Sequence, residues 1–281
     1  MSTISEGASG ADVTILQRAL AFLGYSVGID GSFGDGTKSA VIQFQTDHNL
    51  QTDAVVGPGT WGVLNNLVPQ GMDISHLNGP INWDNLSQQI SFVYCKASQG
   101  ASFKDPMFQN NLGQIKQKGL IMSAYHFLTF QNTAQQQADN FMGCGIDFSA
   151  PGTLPPALDV EWQVPDSLNK FILDNKAACI QLISDWLQLI TTQTGRTPVI
   201  YTAKSFWFEY LGNPSGFESY PLWIPAYQNN LPGLPPGWTN YAIWQYSGAG
   251  AIDGVTGPVD QDLFNGSMDD LKKLALVGAG A

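Results

Sequence analysis

Charge is sparse in this 281-residue chain: 12% of its residues are Asp, Glu, Lys or Arg. Lys and Arg together number 12 against 23 acidic residues, so the formal net charge is −11. Binding to a phosphate backbone draws its affinity from Lys and Arg. An acidic chain without a basic run is therefore not read as a nucleic-acid binder. Histidine is rare, with three copies, and the three cysteines (Cys95, Cys144 and Cys179) are odd in number and widely spaced. No metal-ligand pattern emerges from them, and small buried thiols in a reducing compartment are the expectation. Long apolar runs are missing too. The first apolar stretch is broken by Gln17 and Arg18, and the ten residues before it carry Glu6 and no basic residue. Neither a secretory signal nor a membrane span is read there. The expectation is a chain made in the cytoplasm, working as a monomer without a membrane, metal or cofactor.

What is present describes a folded protein, since 43% of the residues are hydrophobic. The length suits a barrel of about 250 residues or two unequal domains. The first 68 residues form the smaller unit. Val13, Leu16, Leu20 and Leu23 mark one apolar helical face, with Gly24 at its stop. A repeat follows, in which Asp30-Gly-Ser-Phe33-Gly34-Asp-Gly36-Thr37 is echoed 23 residues later by Asp53-Ala-Val-Val56-Gly57-Pro-Gly59-Thr60. Each Thr is expected to cap the helix after it, which makes a three-helix module with two similar loops. Leu16-Gln-Arg-Ala-Leu20, Asp30-Gly-x-Phe-Gly, Ala40-Val-x-x-Phe44-Gln45 and Val56-Gly-Pro-Gly-Thr-Trp61 resemble the small peptidoglycan-binding domain fused to many cell-wall hydrolases. The resemblance covers residues 8–68.

Residues 69–281 alternate short apolar runs with helical or loop segments. Candidate strands span 72–75, 92–97, 120–128, 157–162, 198–203, 221–227, 241–247 and 259–263. Eight strands rich in β-branched and aromatic residues suggest a closed, mostly parallel barrel. Segments 108–118, 133–142 and 168–194 can be helices, whereas 228–240 is broken by Pro and Gly and 248–258 is Gly-rich. An incomplete α/β TIM-like barrel with about five helices fits, its last three strands joined by loops.

Asp159-Val-Glu161 is the focal point. A strand's side chains alternate, so Asp159 and Glu161 share a face, and near a barrel's C-terminal end that face looks into the site. Two neighbouring carboxylates repel when both are ionised, so one holds its proton and can serve as a general acid. The chain has only four glutamates (Glu6, Glu161, Glu209 and Glu218), and Glu161 follows a strongly apolar run. Asp73 on the first strand and Asp260 on the last become neighbours when the barrel closes, completing an acidic ring. Asp262 leaves open which of the two acids faces the site. His76 and His126 are read as hydrogen-bonding residues. Tyr125, Trp223 and Tyr227 are the leading sugar-stacking candidates, followed by Trp162, Tyr201, Trp244 and Tyr246.

In order along the chain, Met72-Asp73-Ile-Ser75-His76, Phe92-Val-Tyr-Cys-Lys96-Ala-Ser-Gln-Gly100, Ala124-Tyr125-His126-Phe127, Leu158-Asp159-Val-Glu161-Trp162, Pro198-Val-Ile-Tyr201, Leu222-Trp223-Ile224 with Tyr227, Ile243-Trp244-Gln245-Tyr246 and Val259-Asp260 resemble the glycoside hydrolase family 25 lysozymes. The resemblance implies a five-helix, eight-strand barrel that cuts the β-1,4 bond between N-acetylmuramic acid and N-acetylglucosamine without a cofactor. Glu161 would protonate the leaving oxygen, Asp159 would orient the substrate's own 2-acetamido group as internal nucleophile, and Asp73 and Asp260 would position substrate or tune Glu161. Lys96, Tyr125, Trp162, Tyr201, Trp223, Tyr227 and Gln245 would contact substrate. Gln99 stands where many members carry Glu. A phage lysin and an exported effector both fit such a wall-directed chain. The rivals are a peptidoglycan-binding protein with a degenerate barrel, which should have lost one of the four acids, and a chitinase, which the N-terminal repeat disfavours. As a mere anchor, the N-terminal module should be removable without harming cleavage of short soluble fragments.

Overall fold

The structure, a computed structural model, describes residues 3–277. Its N-terminal part holds three helices, α1 (Ala11–Phe22), α2 (Asp35–Asp47) and α3 (Pro58–Leu67). The repeated loops between them are built on two buried glutamines. Gln17 donates to Asp30 Oδ1 at 2.8 Å and Thr37 Oγ1 at 2.9 Å, and accepts from the amides of Asp30 and Gly31. Gln45 repeats this with Asp53, Thr60 and the amides of Asp53 and Ala54. The threonines therefore do not cap. The residues entering α2 and α3 are Gly34 and Gly57, without side-chain capping bonds. A buried amide must be satisfied, and that requirement holds each threonine inside the first turn.

The remainder is a barrel of eight strands: β1 (Gln70–Ile74), β2 (Ile90–Gln99), β4 (Ile121–Phe127), β5 (Ala157–Asp159), β6 (Val199–Tyr201), β7 (Leu222–Pro225), β8 (Ile243–Gly250) and β9 (Val259–Phe264). The two-residue β3 (Phe103–Lys104) is an antiparallel spur on β2. β1 pairs with both β2 and β9, which closes the ring. Neighbours run parallel from β1 to β8, whereas β9 is antiparallel to β8 and β1. The short Gly-rich connection into β9 cannot supply the long crossover that a parallel strand needs, so the chain turns back on itself. Helices α4 (Phe108–Gln117), α5 (Ala134–Met142), α6 (Ser167–Asp174), α7 (Lys176–Thr194), α8 (Lys204–Glu209) and α9 (Met268–Leu274) accompany the strands. The expected helix over 168–194 is two, divided at Asn175.

Strand alternation sorts the barrel into two cores. Met72, Val93, Cys95, Met122, Leu158, Ile200 and Ile224 pack outward with the helices. Phe92, Tyr94, Ala157, Val199, Tyr201, Trp223 and Ile243 fill the interior. Crowding inside makes Gly71 obligatory, since a Cβ there would lie 2.3 Å from the Phe92 ring.

A third apolar cluster spans both parts of the chain. Trp244 and Tyr246 of β8 and Leu263 of β9 join Leu16, Leu20, Phe44 and Trp61 of the helical module, all buried. Asn65 donates to Gln89 Oε1 at 2.8 Å and Ser87 to Asp12 Oδ1 at 2.9 Å across the same junction. The module is docked rather than tethered, which bears on whether it can be removed harmlessly. Deleting residues 1–68 should lower the Tm of the remaining barrel by at least about 5 °C, because each uncovered apolar side chain is worth about 1.5–3 kcal/mol and each kcal/mol about 2–4 °C. An unchanged melting curve would mean that the junction contributes nothing to the barrel.

Candidate active site

At the C-terminal ends of the parallel strands a cavity of about 180 Å³ opens, lined by Asp73, Tyr125, Asp159, Glu161, Tyr201, Trp223, Tyr227, Gln245 and Asp260. These nine include every acid of the expected ring. β1 and β9 bring Asp73 directly opposite Asp260 in register. β5 ends at Asp159, three residues earlier than expected, yet Val160 N still bonds Tyr201 O at 2.9 Å. Extended geometry therefore persists one step beyond the strand, and Glu161 reaches the same cavity as Asp159.

Asp262 faces inward as well. It is fully buried, two positions along β9 from Asp260 and paired with Gly71, and Trp223 Nε1 donates to its Oδ1 at 2.8 Å. Asp260 is thus the acid at the mouth and Asp262 lies one layer beneath. Lys96 does not line the cavity. Its ammonium donates to Gln99 Oε1 at 2.8 Å and lies 4.7 Å from the Phe127 ring centroid, close enough to act on both Asp159 and Glu161 through its charge. Trp162 also stands apart, 38% exposed and edge-on to Phe206 and Tyr210. Trp244 and Tyr246 point to the helical module. His126 is buried between Ser98 and Gln137, and His76 bonds Asp105 Oδ2 at 2.7 Å.

Gln245 organises the cavity. Its Nε2 donates to Asp73 Oδ2 at 2.7 Å, while its Oε1 accepts from the hydroxyls of Tyr201 and Tyr227 at 2.9 Å each. Asp159 Oδ1 is buried without a hydrogen-bond partner.

Removing carboxylates from water favours their neutral forms, and crowding them together adds to the effect. Burial pushes the Glu161 carboxyl up to about 7, with Lys96 pulling it down and Asp260 adding to the rise. Burial raises Asp260 to about 6. Asp159 is held well above the ordinary range by burial and then by Glu161, and Asp73 by burial and then by Asp260 and Asp262. Burial likewise raises Tyr125, Tyr201 and Tyr227, so all three remain hydroxyl donors at neutral pH. The cavity can keep one carboxyl protonated beside acceptors, as proton transfer to a leaving oxygen requires.

The model of the glycosyl hydrolases family 25 matches residues 72–255. The chain belongs to glycosyl hydrolase family 25. A peptidoglycan binding domain model matches residues 9–64. Lysozyme M1 of Streptomyces globisporus is 34% identical over 210 residues, covering 73% of this chain and 71% of its own length. The N,O-diacetylmuramidase of Chalaropsis sp is 34% identical over 215 residues, covering 73% and 98%. The crystal structure of the bacterial lysozyme from Streptomyces coelicolor superposes with a TM-score of 0.70 at 34% identity, over 74% of this chain and 96% of that one. This family 25 glycoside hydrolase thus carries its four mouth acids in one cavity.

The buried acids have a consequence for stability. An aspartate titrates near 3.9 when unfolded, so a raised folded value means that the native state binds more protons and loses stability as pH rises from that range. Asp262 is raised well above the ordinary value, first by burial. Asp262→Asn, which keeps an acceptor for Trp223, should therefore raise Tm, by more at pH 8 than at pH 5. Equal shifts at both values, read by calorimetry, would remove Asp262 from the ionisation penalty.

Proposed function

We propose that this chain is a peptidoglycan hydrolase that cleaves the β-1,4 bond between N-acetylmuramic acid and N-acetylglucosamine, with Glu161 as general acid. The observation that carries the reading is Glu161 itself, a carboxyl at the cavity mouth raised to about 7 beside three further acids. Protonated, it gives its proton to the glycosidic oxygen as the bond from C1 to that oxygen breaks. The substrate's 2-acetamido oxygen forms the new bond to C1, and a water then displaces it while Glu161 takes up a proton. Asp159 orients that acetamido group. Its buried, unpartnered Oδ1 suits an incoming amide N–H, and a filled acceptor there offsets the cost of burying it. Two displacements at C1 retain configuration. Asp73, held by Gln245, and Asp260 position the sugar, and Asp260 supports the raised value of Glu161.

Tyr125, Tyr201, Trp223 and Tyr227 supply aromatic faces and hydroxyls along the cavity, the combination that suits a sugar with one apolar and one polar face. Lys96 acts as an electrostatic tuner, and Trp162 is left for sugars farther from the cleaved bond. The degenerate-barrel alternative loses ground because all four acids are present together. The helical module holds the enzyme to its insoluble polymer, raising the local concentration of cleavable bonds.

Glu161→Gln should reduce kcat on purified peptidoglycan by at least about 10²-fold without changing the fold, a general acid being worth about 10²–10⁴. Digestion, reduction and mass spectrometry of the wild-type products should give chains ending in reduced N-acetylmuramic acid. Chains ending in reduced N-acetylglucosamine would overturn the bond assignment. Because Glu161 must hold its proton, kcat should fall as pH rises through about 7. Lys96 pulls that value down, so Lys96→Met should move the alkaline limb to higher pH. A shift to lower pH would contradict the electrostatic role of Lys96.

A further inference from the structure

We propose that the N-terminal module is a wall of the catalytic cleft as well as an anchor, with Arg18 as the positioning residue for Tyr227. The inference rests on the muramidase reading and extends it to residues outside the barrel.

Tyr227 lines the catalytic cavity but is 63% exposed, two residues past β7 and just ahead of the Pro- and Gly-broken segment 228–240. Its hydroxyl is held by Gln245, but a ring this exposed also depends on what grips the backbone on either side. Before it, Trp244 Nε1 donates to Ala226 O at 2.8 Å. After it, Arg18 of α1 donates to Gln228 O at 2.9 Å and to Asn229 Oδ1 at 3.1 Å. Arg18 is only 7% exposed, and its guanidinium lies 4.7 Å from the Tyr246 ring centroid and 5.7 Å from that of Trp244. Both rings are buried in the cluster shared with the module. A planar cation held against aromatic faces loses less freedom per hydrogen bond than a flexible one, so Arg18 is a rigid clamp. On its other side the Tyr227 ring rests on Gly248, where a Cβ would lie 2.8 Å from the ring.

A second hollow, of about 420 Å³, opens between Arg18, Asn229, Tyr246 and Gly248 and shares only Tyr227 with the catalytic cavity. The cleft thus continues past Tyr227 along a face to which the module contributes a side chain. A glycan strand threading the carboxylates meets Tyr227 at this step, so the clamp acts on substrate affinity more than on bond breaking.

Steady-state cleavage of a soluble tetrasaccharide of alternating N-acetylglucosamine and N-acetylmuramic acid tests this on the full chain. Arg18→Met keeps the apolar stem and removes the two donors. It should raise KM about 3- to 10-fold with kcat within about twofold, the effect expected when hydrogen bonds that position a binding group are lost. Gly248→Ala displaces the same ring without touching the module and should act in the same direction. Pelleting with sacculi, measured in the Glu161→Gln background, should be unchanged by Arg18→Met. A KM within twofold of wild type for Arg18→Met overturns the proposal, as does a loss confined to sacculus binding. Should Arg18→Met fail to fold, Gly248→Ala and Asn229→Ala decide by the same KM criterion. If the wild-type chain binds the tetrasaccharide without cutting it, the catalytic reading fails and the comparison is made on Kd instead.

Discussion

A carboxyl group enclosed by other carboxyl groups and denied water keeps its proton, and this constraint orders the barrel interior. Asp73, Asp159, Glu161, Asp260 and Asp262 converge there, and Lys96 is the cation acting on Asp159 and Glu161. Full ionisation of such a cluster would cost more than the fold could bear. The cluster is instead made compatible with folding by partial protonation and by neutral donors. Trp223 serves Asp262 and Gln245 serves Asp73. A second cation in that space would stabilise the cluster better but would also discharge the proton that general acid chemistry needs.

Gln245 connects this interior to the rest of the molecule. It sits on β8 between Trp244 and Tyr246, and strand alternation sends it inward while its neighbours enter the helical module's core. One short strand therefore carries the hub of the active-site hydrogen bonds on one face and the module's docking surface on the other. Any shift of β8 against the module is felt by Asp73, Tyr201 and Tyr227 through the same amide. Rigid docking and a well-ordered site are then one requirement, because packed interfaces transmit displacement instead of absorbing it.

Much of this was legible in the sequence because the period of a strand is two. Parity alone put Asp159 and Glu161 on one face, and it held although the strand is shorter than expected, since the ladder bond from Val160 to Tyr201 prolongs the extended chain. Closure of eight strands made neighbours of Asp73 and Asp260. Parity could not rank Asp260 against Asp262, which share a face; their depth depends on β9 running downward from the mouth. The threonines of the N-terminal repeat looked like caps because local rules see only the helix that follows, whereas the buried Gln17 and Gln45 recruit them from elsewhere in the chain. Arg18 was illegible for a similar reason. A lone basic residue on a short helix reads as solvated surface, and nothing local says that two aromatic rings more than 200 residues away will enclose it.

Gln99 shows how a single neutral side chain can bear on the site through the cation it holds, Lys96. The Lys96 ammonium bonds the amide of Gln99 and lies over Phe127, partners that hold its position without cancelling its charge. A carboxylate at position 99 would pair with it and weaken the field that Lys96 exerts on Asp159 and Glu161. Coulombic attraction is stronger in a water-poor cavity than in bulk water, so the uncancelled charge lowers Glu161 from the higher value that burial alone would impose. The Glu161 carboxyl is left near 7, the range in which a group can both hold a proton and give it up at neutral pH. The amide at position 99 therefore bears on the Glu161 carboxyl through the lysine it holds.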